Sequence, residues 1–75
     1  MIYFYKTKIG TWTIRPQRSD PNRAEIWMAG ECYGSYSSAL MAASDVAAHS
    51  TGCSAWDSAT HLEAPEDLDE WRSSN

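Results

Sequence analysis

Apolar and polar residues alternate along the first third of the chain with the period of a β-strand. The segment TWTIRP, residues 11–16, places Trp12 and Ile14 between threonines and an arginine. Successive side chains of a strand point to opposite faces, so this segment has one dry face and one wet face. The preceding segment IYFYKTKI, residues 2–9, is rich in β-branched and aromatic residues, and Gly10 marks a turn or a bulge. The two segments predict a pair of neighbouring strands.

A polar loop and a β-hairpin are predicted to follow. The segment QRSDPNR, residues 17–23, has the composition of a turn, and Pro21 excludes a central strand there. The segment AEIWMAGECYGSY, residues 24–36, is predicted to form two strands that turn at Ala29-Gly30. A two-residue turn sets three opposing pairs, which are Met28 with Glu31, Trp27 with Cys32 and Ile26 with Tyr33. Trp27 then lies on the face opposite to the other apolar residues of the hairpin.

An alanine-rich stretch after the hairpin predicts the main helix, over residues 38–50. Ser37 or Ser38 is placed to cap its first turn, and Gly52 to take the left-handed conformation that ends it. At about 100° per residue, small and apolar side chains collect on one side of this helix, namely Ala39, Leu40, Ala42, Ala43, Val46 and Ala47. So flat a face predicts close packing on a sheet of large residues, which are Trp12, Ile14, Ile26, Met28 and Tyr33.

The C-terminal segment is predicted to fold back on the core because it contains four large apolar residues, Trp56, Leu62, Leu68 and Trp71. Pro65 suits the first turn of a short helix over residues 65–72, whose early acids favour the positive end of the helix dipole. The open sheet face that carries Trp27 is one surface for this segment to cover.

The predicted fold is a single small α+β domain over residues 1–75. It contains a three- to four-stranded antiparallel sheet within residues 2–36, one main helix packed on a face of that sheet, and the short C-terminal helix. Of the 75 residues, 43% are hydrophobic and 12% aromatic, which suffices for a compact core near the lower size limit of a domain. No apolar run approaches the ~20 residues that span a bilayer, and the N-terminal segment lacks the regions of a secretory signal. We therefore expect a cytoplasmic protein with no membrane partner.

Charge is divided unevenly along the chain. Six basic and ten acidic residues give a net charge of −4. Most of the bases lie before Ala24, whereas the acids collect from Asp45 onward, where Arg72 is the one base. Two explanations are open. Either the charges form solvated faces with ion pairs between the two halves, or a basic sheet surface is aimed at a polyanion and partly masked by an acidic tail.

No cofactor, metal site or catalytic group is predicted. A zinc site would have to join Cys32, Cys53, His49 and His61, yet only His49 and Cys53 have a local ligand spacing. The cysteines are instead expected to be small buried hydrophobes. The sequence lacks a phosphate-binding G-x-x-x-x-G-K-[ST] loop, and its carboxylates have the pattern of a solvated helix face. The sequence indicates a protein that is not an enzyme.

Three segments together resemble a small, largely uncharacterised bacterial domain family, namely GTWTIRP, EIWMAGECYGSYSSALMAASDVAAHSTGCSAWD and APEDLDEW. Members of that family carry a W-x-I-R-P strand, an L-G-S-Y-x-S turn, an alanine-rich helix, a T-G-x-x-x-W-D segment and a closing P-x-D-L-x-x-W. Some members are labelled as related to the ATP-dependent DNA helicase RecG. At this length the resemblance implies an accessory module beside a nucleic-acid enzyme, because no motor domain fits into 75 residues.

The predicted strands and the segment GSYSSALMAASDVAAHS are also similar to the AP2-type DNA-binding domain. In that family a turn and helix of the form G-x-[FY]-x-[ST]-x-x-x-A-A support a sheet that reads DNA. The resemblance implies Arg15 and Trp27 on the reading face, with Lys6, Lys8 and Arg18 near phosphates.

The residues themselves favour a small non-catalytic interaction module. It would bind a protein partner, or a second copy of itself as a homo-oligomer, through aromatic residues left on the sheet. Trp27 is the expected centre of that surface, with Arg15 and Thr13 on the wet face of the second strand. The alternative is a nucleic-acid-binding accessory module of a helicase-related system. The net charge of −4 disfavours it, because phosphate neutralisation dominates the affinity of such modules.

Overall fold

Five antiparallel strands form one sheet, and the main helix packs on one of its faces. The computed structural model describes residues 1–74, so that Asn75, the last residue of the predicted domain, lies outside the described residues. The strands are β1 (Ile2–Thr7), β2 (Gly10–Pro16), β3 (Ala24–Met28), β4 (Glu31–Tyr36) and β5 (Arg72–Ser74). Their order across the sheet is β4-β3-β2-β1-β5. The α+β fold is confirmed, and β5 adds one strand to the predicted three or four.

The hairpin between β3 and β4 turns at the predicted place. Ala29 and Gly30 both have positive φ, at 54° and 82°, as a type I′ turn requires. Met28 faces Glu31 and Trp27 faces Cys32, as predicted. The third predicted pair is wrong, because a β-bulge shifts the register between Ile26 and Trp27 and brings Ile26 opposite Gly34.

The main helix, α1 (Ala39–Ala47), is shorter than the predicted span of residues 38–50. Ser38 caps its first turn, since the hydroxyl accepts a hydrogen bond from the amide of Met41. The helix ends at Ala47 with Ala48 as its C-cap, and His49 takes the left-handed conformation, with φ of 57°. The prediction that Gly52 ends the helix is therefore wrong. The imidazole of His49 stacks on the Trp56 ring at 4.6 Å between centroids, a contact that the sequence pattern does not reveal.

The core lies between the sheet and α1, where the largest fully buried side chains are Trp12, Trp56, Ile14, Ile26 and Val46. Ala42 and Ala43 are fully buried, as the flat helix face predicts. Leu40 departs from the prediction, because 57% of its surface is exposed. Leu40 lies outside the helix face formed by Ala42, Ala43 and Val46, so its side chain does not reach the sheet.

The C-terminal segment packs on the same side of the sheet as α1. It contains α2 (Ser54–Asp57) and a 3-10 helix (Leu68–Glu70), in place of the predicted helix over residues 65–72. The short turn lets Trp71 enter the core, where it is 4% exposed, and leaves β5 free to pair with β1. An eight-residue helix could not do both. The predicted burial of Trp56, Leu62, Leu68 and Trp71 is confirmed, two fully and two in part. Within residues 1–74, no helix is long and apolar enough to cross a membrane.

Candidate functional site

The strand register divides the sheet into two faces, because directly opposed residues share a face. Trp12 and Ile14 of β2 point towards α1, and the residues between them point away. We call the second surface the open face. It contains Ile2, Phe4, Lys6, Thr11, Thr13, Arg15, Glu25, Trp27, Cys32, Ser35, Arg72 and Ser74. Buried residues of α1, of α2 and of the C-terminal segment all join the core on the other side. No helix of the described chain therefore covers the open face.

One row of side chains crosses the open face through four adjacent strands. Trp27 opposes Thr13, Thr13 opposes Phe4, and Phe4 opposes Arg72. Trp27 and Phe4 are both half-buried. Two strand spacings separate them, which is about 10 Å. The row thus presents two aromatic rings with a small hydroxyl between them and a cation at its end.

Arg15, Glu25 and Trp27 form a connected cluster at one end of this row. The guanidinium carbon of Arg15 lies 4.0 Å from the centroid of the Trp27 ring, within the range of a cation–π interaction. The Arg15 Nε is 3.9 Å from the Glu25 Oε1, and the Trp27 Nε1 donates to the same oxygen at 3.1 Å. The Arg15 side chain is 44% exposed. Glu25 therefore holds both the cation and the indole edge.

Two shallow depressions adjoin this cluster. One, of about 210 Å³, is lined by Thr11, Thr13, Arg15, Trp27 and the β3–β4 turn. The other, of about 430 Å³, lies among Arg15, Pro16, Arg18 and Glu25. Neither is an enclosed pocket, so the open face suits an extended or flat partner better than a small molecule.

The open face and the rest of the molecule carry opposite charge. Lys6, Arg15 and Arg72 lie on the open face, against Glu25 as its one acid among residues 1–74. The acids from Asp45 onward belong to α1, α2 and the C-terminal segment, which pack on the other side. Glu63 is the exception in position, because it lines a shallow depression with Lys6 and Lys8. The Arg15–Glu25 contact is the one ion pair within 4.0 Å in the described chain. Within residues 1–74, the basic and acidic halves therefore do not form the expected ion pairs with each other.

The structure brings four of the six predicted binding residues onto one face, namely Trp27, Arg15, Thr13 and Lys6. The other two are outside the strands. Lys8 is in the β1–β2 turn, whereas Arg18, in the loop after β2, lines the larger depression beside Arg15 and Glu25. Sequence reasoning missed Phe4, Glu25 and Arg72. Phe4 could have been found from its place between two tyrosines in β1, but Arg72 depends on β5, which three polar residues do not signal.

The four residues considered as zinc ligands are not brought together. Cys53 is buried in the core, whereas Cys32 is exposed on the open face. In the described part of the chain, no group of three or more histidine, cysteine or acidic side chains could hold a metal ion.

Asp57 is not on the open face and stabilises the loop between α1 and α2. Its carboxylate accepts hydrogen bonds from the amide and the hydroxyl of Thr51 and from the amide of Gly52, at 2.8 to 3.0 Å. Burial by itself raises the pKa of Asp57, but these hydrogen bonds and the nearby His49 outweigh it and lower the pKa below its usual value. Asp57 thus fixes the loop between α1 and α2.

Comparison of the chain with protein-family models, with curated proteins and with solved structures finds no match. The resemblances to the helicase-related bacterial family and to the AP2-type domain therefore stay predictions. The candidate function rests on the open face itself.

Proposed function

We propose that this chain is a non-catalytic interaction module that holds an anionic macromolecule on its open face. The observation that carries the proposal is the composition of that face, which presents two aromatic rings and three cations against one acid. A sheet face without a covering helix exposes aromatic surface that a partner can bury. Trp and Arg are the residues that contribute most at interfaces.

The net charge of −4 is a poor guide to the partner of this surface. The screening length at physiological salt is about 8 Å, whereas the shortest dimension of the molecule is 19 Å. The acids on the helix side therefore act only weakly on a ligand at the open face. The choice of partner depends instead on the charges of the open face itself, which are three cations and one acid. This local balance favours nucleic acid over the protein partner or second copy that the sequence places first. Such a module would serve a DNA-processing system as an accessory.

A protein partner is the second candidate, and the position of Trp27 favours it. A half-buried Trp beside an Arg is typical of an interface anchor. A protein that offered carboxylates to Arg15 and Arg72 would fit the same charges.

The test is a nuclear magnetic resonance titration of the full chain at low salt. The probes are a single-stranded oligonucleotide, a duplex of the same length and a polyglutamate peptide. We expect a dissociation constant tighter than about 10⁻⁴ M, the weak end of non-specific binding, with shifts on β1, β2 and β3 for nucleic acid. Arg15→Ala should weaken binding, whereas Lys8→Ala, at the end of the sheet, is the matched control. Shifts confined to α1 and the C-terminal segment would contradict the proposal.

A further inference from the structure

Trp27 differs from the other three tryptophans of the chain in its contact with solvent. Trp12 and Trp56 are fully buried, and Trp71 is 4% exposed. The half-buried indole of Trp27 lies on the open face, where Arg15 covers its ring and Glu25 accepts its N–H. An aromatic ring on the open face is thus covered by a partly exposed, charged side chain.

The contact that holds Arg15 is weak. Its Nε is 3.9 Å from the Glu25 Oε1, which is longer than a hydrogen bond, and the Arg15 side chain is 44% exposed to solvent. A phosphate offers the guanidinium two parallel hydrogen bonds and a full negative charge, so it competes well with this carboxylate. When Arg15 turns towards a phosphate, the face of the Trp27 ring becomes free. A flat, unpaired group next to that phosphate can then stack on it.

We propose that the open face binds single-stranded nucleic acid, with Arg15 taking a phosphate and Trp27 taking an unpaired base. This inference rests on the proposed function and names its partner. Phe4, about two strand spacings away across Thr13, supplies a second ring for a further base. Arg72 beyond Phe4 and Lys6 beside it are placed for further phosphates.

The chemistry of the surface distinguishes a single strand from the other anionic partners. A duplex keeps the faces of its bases inside the stack, so Trp27 and Phe4 would have nothing to stack on. An acidic peptide would use the cations but not the rings. Base stacking on aromatic side chains tolerates any sequence, which matches a face that has few groups able to read base edges.

The first experiment compares oligothymidylate with an abasic strand of the same length, a duplex and polyglutamate. Iodide quenching of tryptophan fluorescence follows the binding, because Trp27 is the accessible indole. We expect oligothymidylate to protect Trp27 from iodide and to bind about tenfold or more tightly than the abasic strand, the range of one stacked base.

Variants at the cluster then separate stacking from charge. Trp27→Leu should lose the preference for oligothymidylate over the abasic strand, and Trp27→Phe should keep most of it. These two variants are followed by chemical shifts rather than by tryptophan fluorescence. Glu25→Gln should tighten binding about two- to fivefold, because the neutral amide no longer competes for Arg15. Near-ultraviolet circular dichroism of each variant shows whether the core is intact.

The outcomes distinguish this inference from the proposed function. If the abasic strand or the duplex binds as tightly as oligothymidylate, the proposed stacking of a base on Trp27 is wrong. The proposed function, binding of an anionic macromolecule by the open face, is then retained. If only polyglutamate binds, a protein partner replaces nucleic acid. If none of the four probes binds, both the inference and the proposed function are wrong.

Discussion

Arg15 lies over the ring of Trp27, at 4.0 Å from its guanidinium carbon to the ring centroid, on a face where Phe4 and Arg72 continue the same surface. The two residues come from neighbouring strands and meet because Thr13 opposes Trp27 and Arg15 opposes Glu25. In the proposed binding of a nucleotide, the cation takes the phosphate and the aromatic ring takes the base. The salt dependence of binding measures the first of these.

The first prediction concerns that salt dependence. Three cations on the open face, each neutralising one phosphate of a single strand, give a slope of log affinity against log salt of about −2, since each contributes about 0.7. Arg72→Ala should reduce the magnitude of this slope by about 0.7. Affinity measured at four or more salt concentrations provides the test, and Lys8→Ala serves as the control. If the slope of Arg72→Ala equals that of the wild type, β5 is not part of the binding surface.

The second prediction concerns the acidic C-terminal segment. Glu66 and Asp67 of this segment lie beside Leu40 of α1. They are therefore on the helix side of the sheet and not over the open face. Neutralising both with Glu66→Gln and Asp67→Asn should therefore change the affinity for a single strand by less than about twofold, because salt screens charges on the far side of the sheet. Glu25→Gln, which removes one negative charge from the open face, is the comparison for the two charges removed here. A larger effect from the C-terminal pair than from Glu25→Gln would show that the tail masks the basic surface.

The third prediction concerns the close contact between α1 and the sheet. Ala43 is fully buried in the same core cluster as Trp12 and Ile14, so a larger side chain has no room. Ala43→Leu should lower the free energy of unfolding by about 1–3 kcal/mol, measured by urea denaturation. Leu40→Ala, at a position that is 57% exposed, should change it by less than about 0.5 kcal/mol. Equal effects of the two changes would contradict the packing.

The alternation of residues predicted more of this fold than of its binding surface. Trp12, Ile14 and the Ala29-Gly30 turn indicate the strands and the hairpin because local patterns encode them. The bulge that displaces Tyr33 and the pairing of β5 depend on contacts between distant segments. Trp27 and Arg15 are assigned to the wet side from alternation alone. Their contact with Glu25 depends on the register between β2 and β3. That register could not be predicted, because the sequence of the loop between the two strands does not specify it.

The fourth prediction concerns the β3–β4 turn. Ala29 has a φ of 54°, a conformation that costs a non-glycine residue roughly 1–2 kcal/mol and that Asn tolerates best. Ala29→Asn should raise the free energy of unfolding by about 0.5–1 kcal/mol, measured by thermal and urea denaturation. Ala29→Val should lower it, since a β-branched residue is least tolerated at positive φ. A stabilising Ala29→Val would contradict the turn geometry.

The last prediction concerns pH and the loop between α1 and α2. The folded protein lowers the pKa of Asp57 below its ordinary value of 3.8, through hydrogen bonds from Thr51 and Gly52 that outweigh the effect of burial. The unfolded chain then binds a proton more readily than the folded one, so the stabilisation is present above about pH 4 and is lost as the pH falls through the lowered pKa.

Asp57→Asn isolates this contribution from the other acids of the chain. At pH 7 the variant should be less stable than the wild type by about 1 kcal/mol, the typical net contribution of a hydrogen bond, and the difference should shrink as the pH falls below about 4. Urea denaturation of both proteins between pH 2 and 7 supplies the comparison. Asp69→Asn, in the 3-10 helix, is the control, because its carboxylate makes none of these hydrogen bonds to the loop. A difference between the wild type and Asp57→Asn that stays constant over this pH range would show that the Asp57 charge does not stabilise the loop.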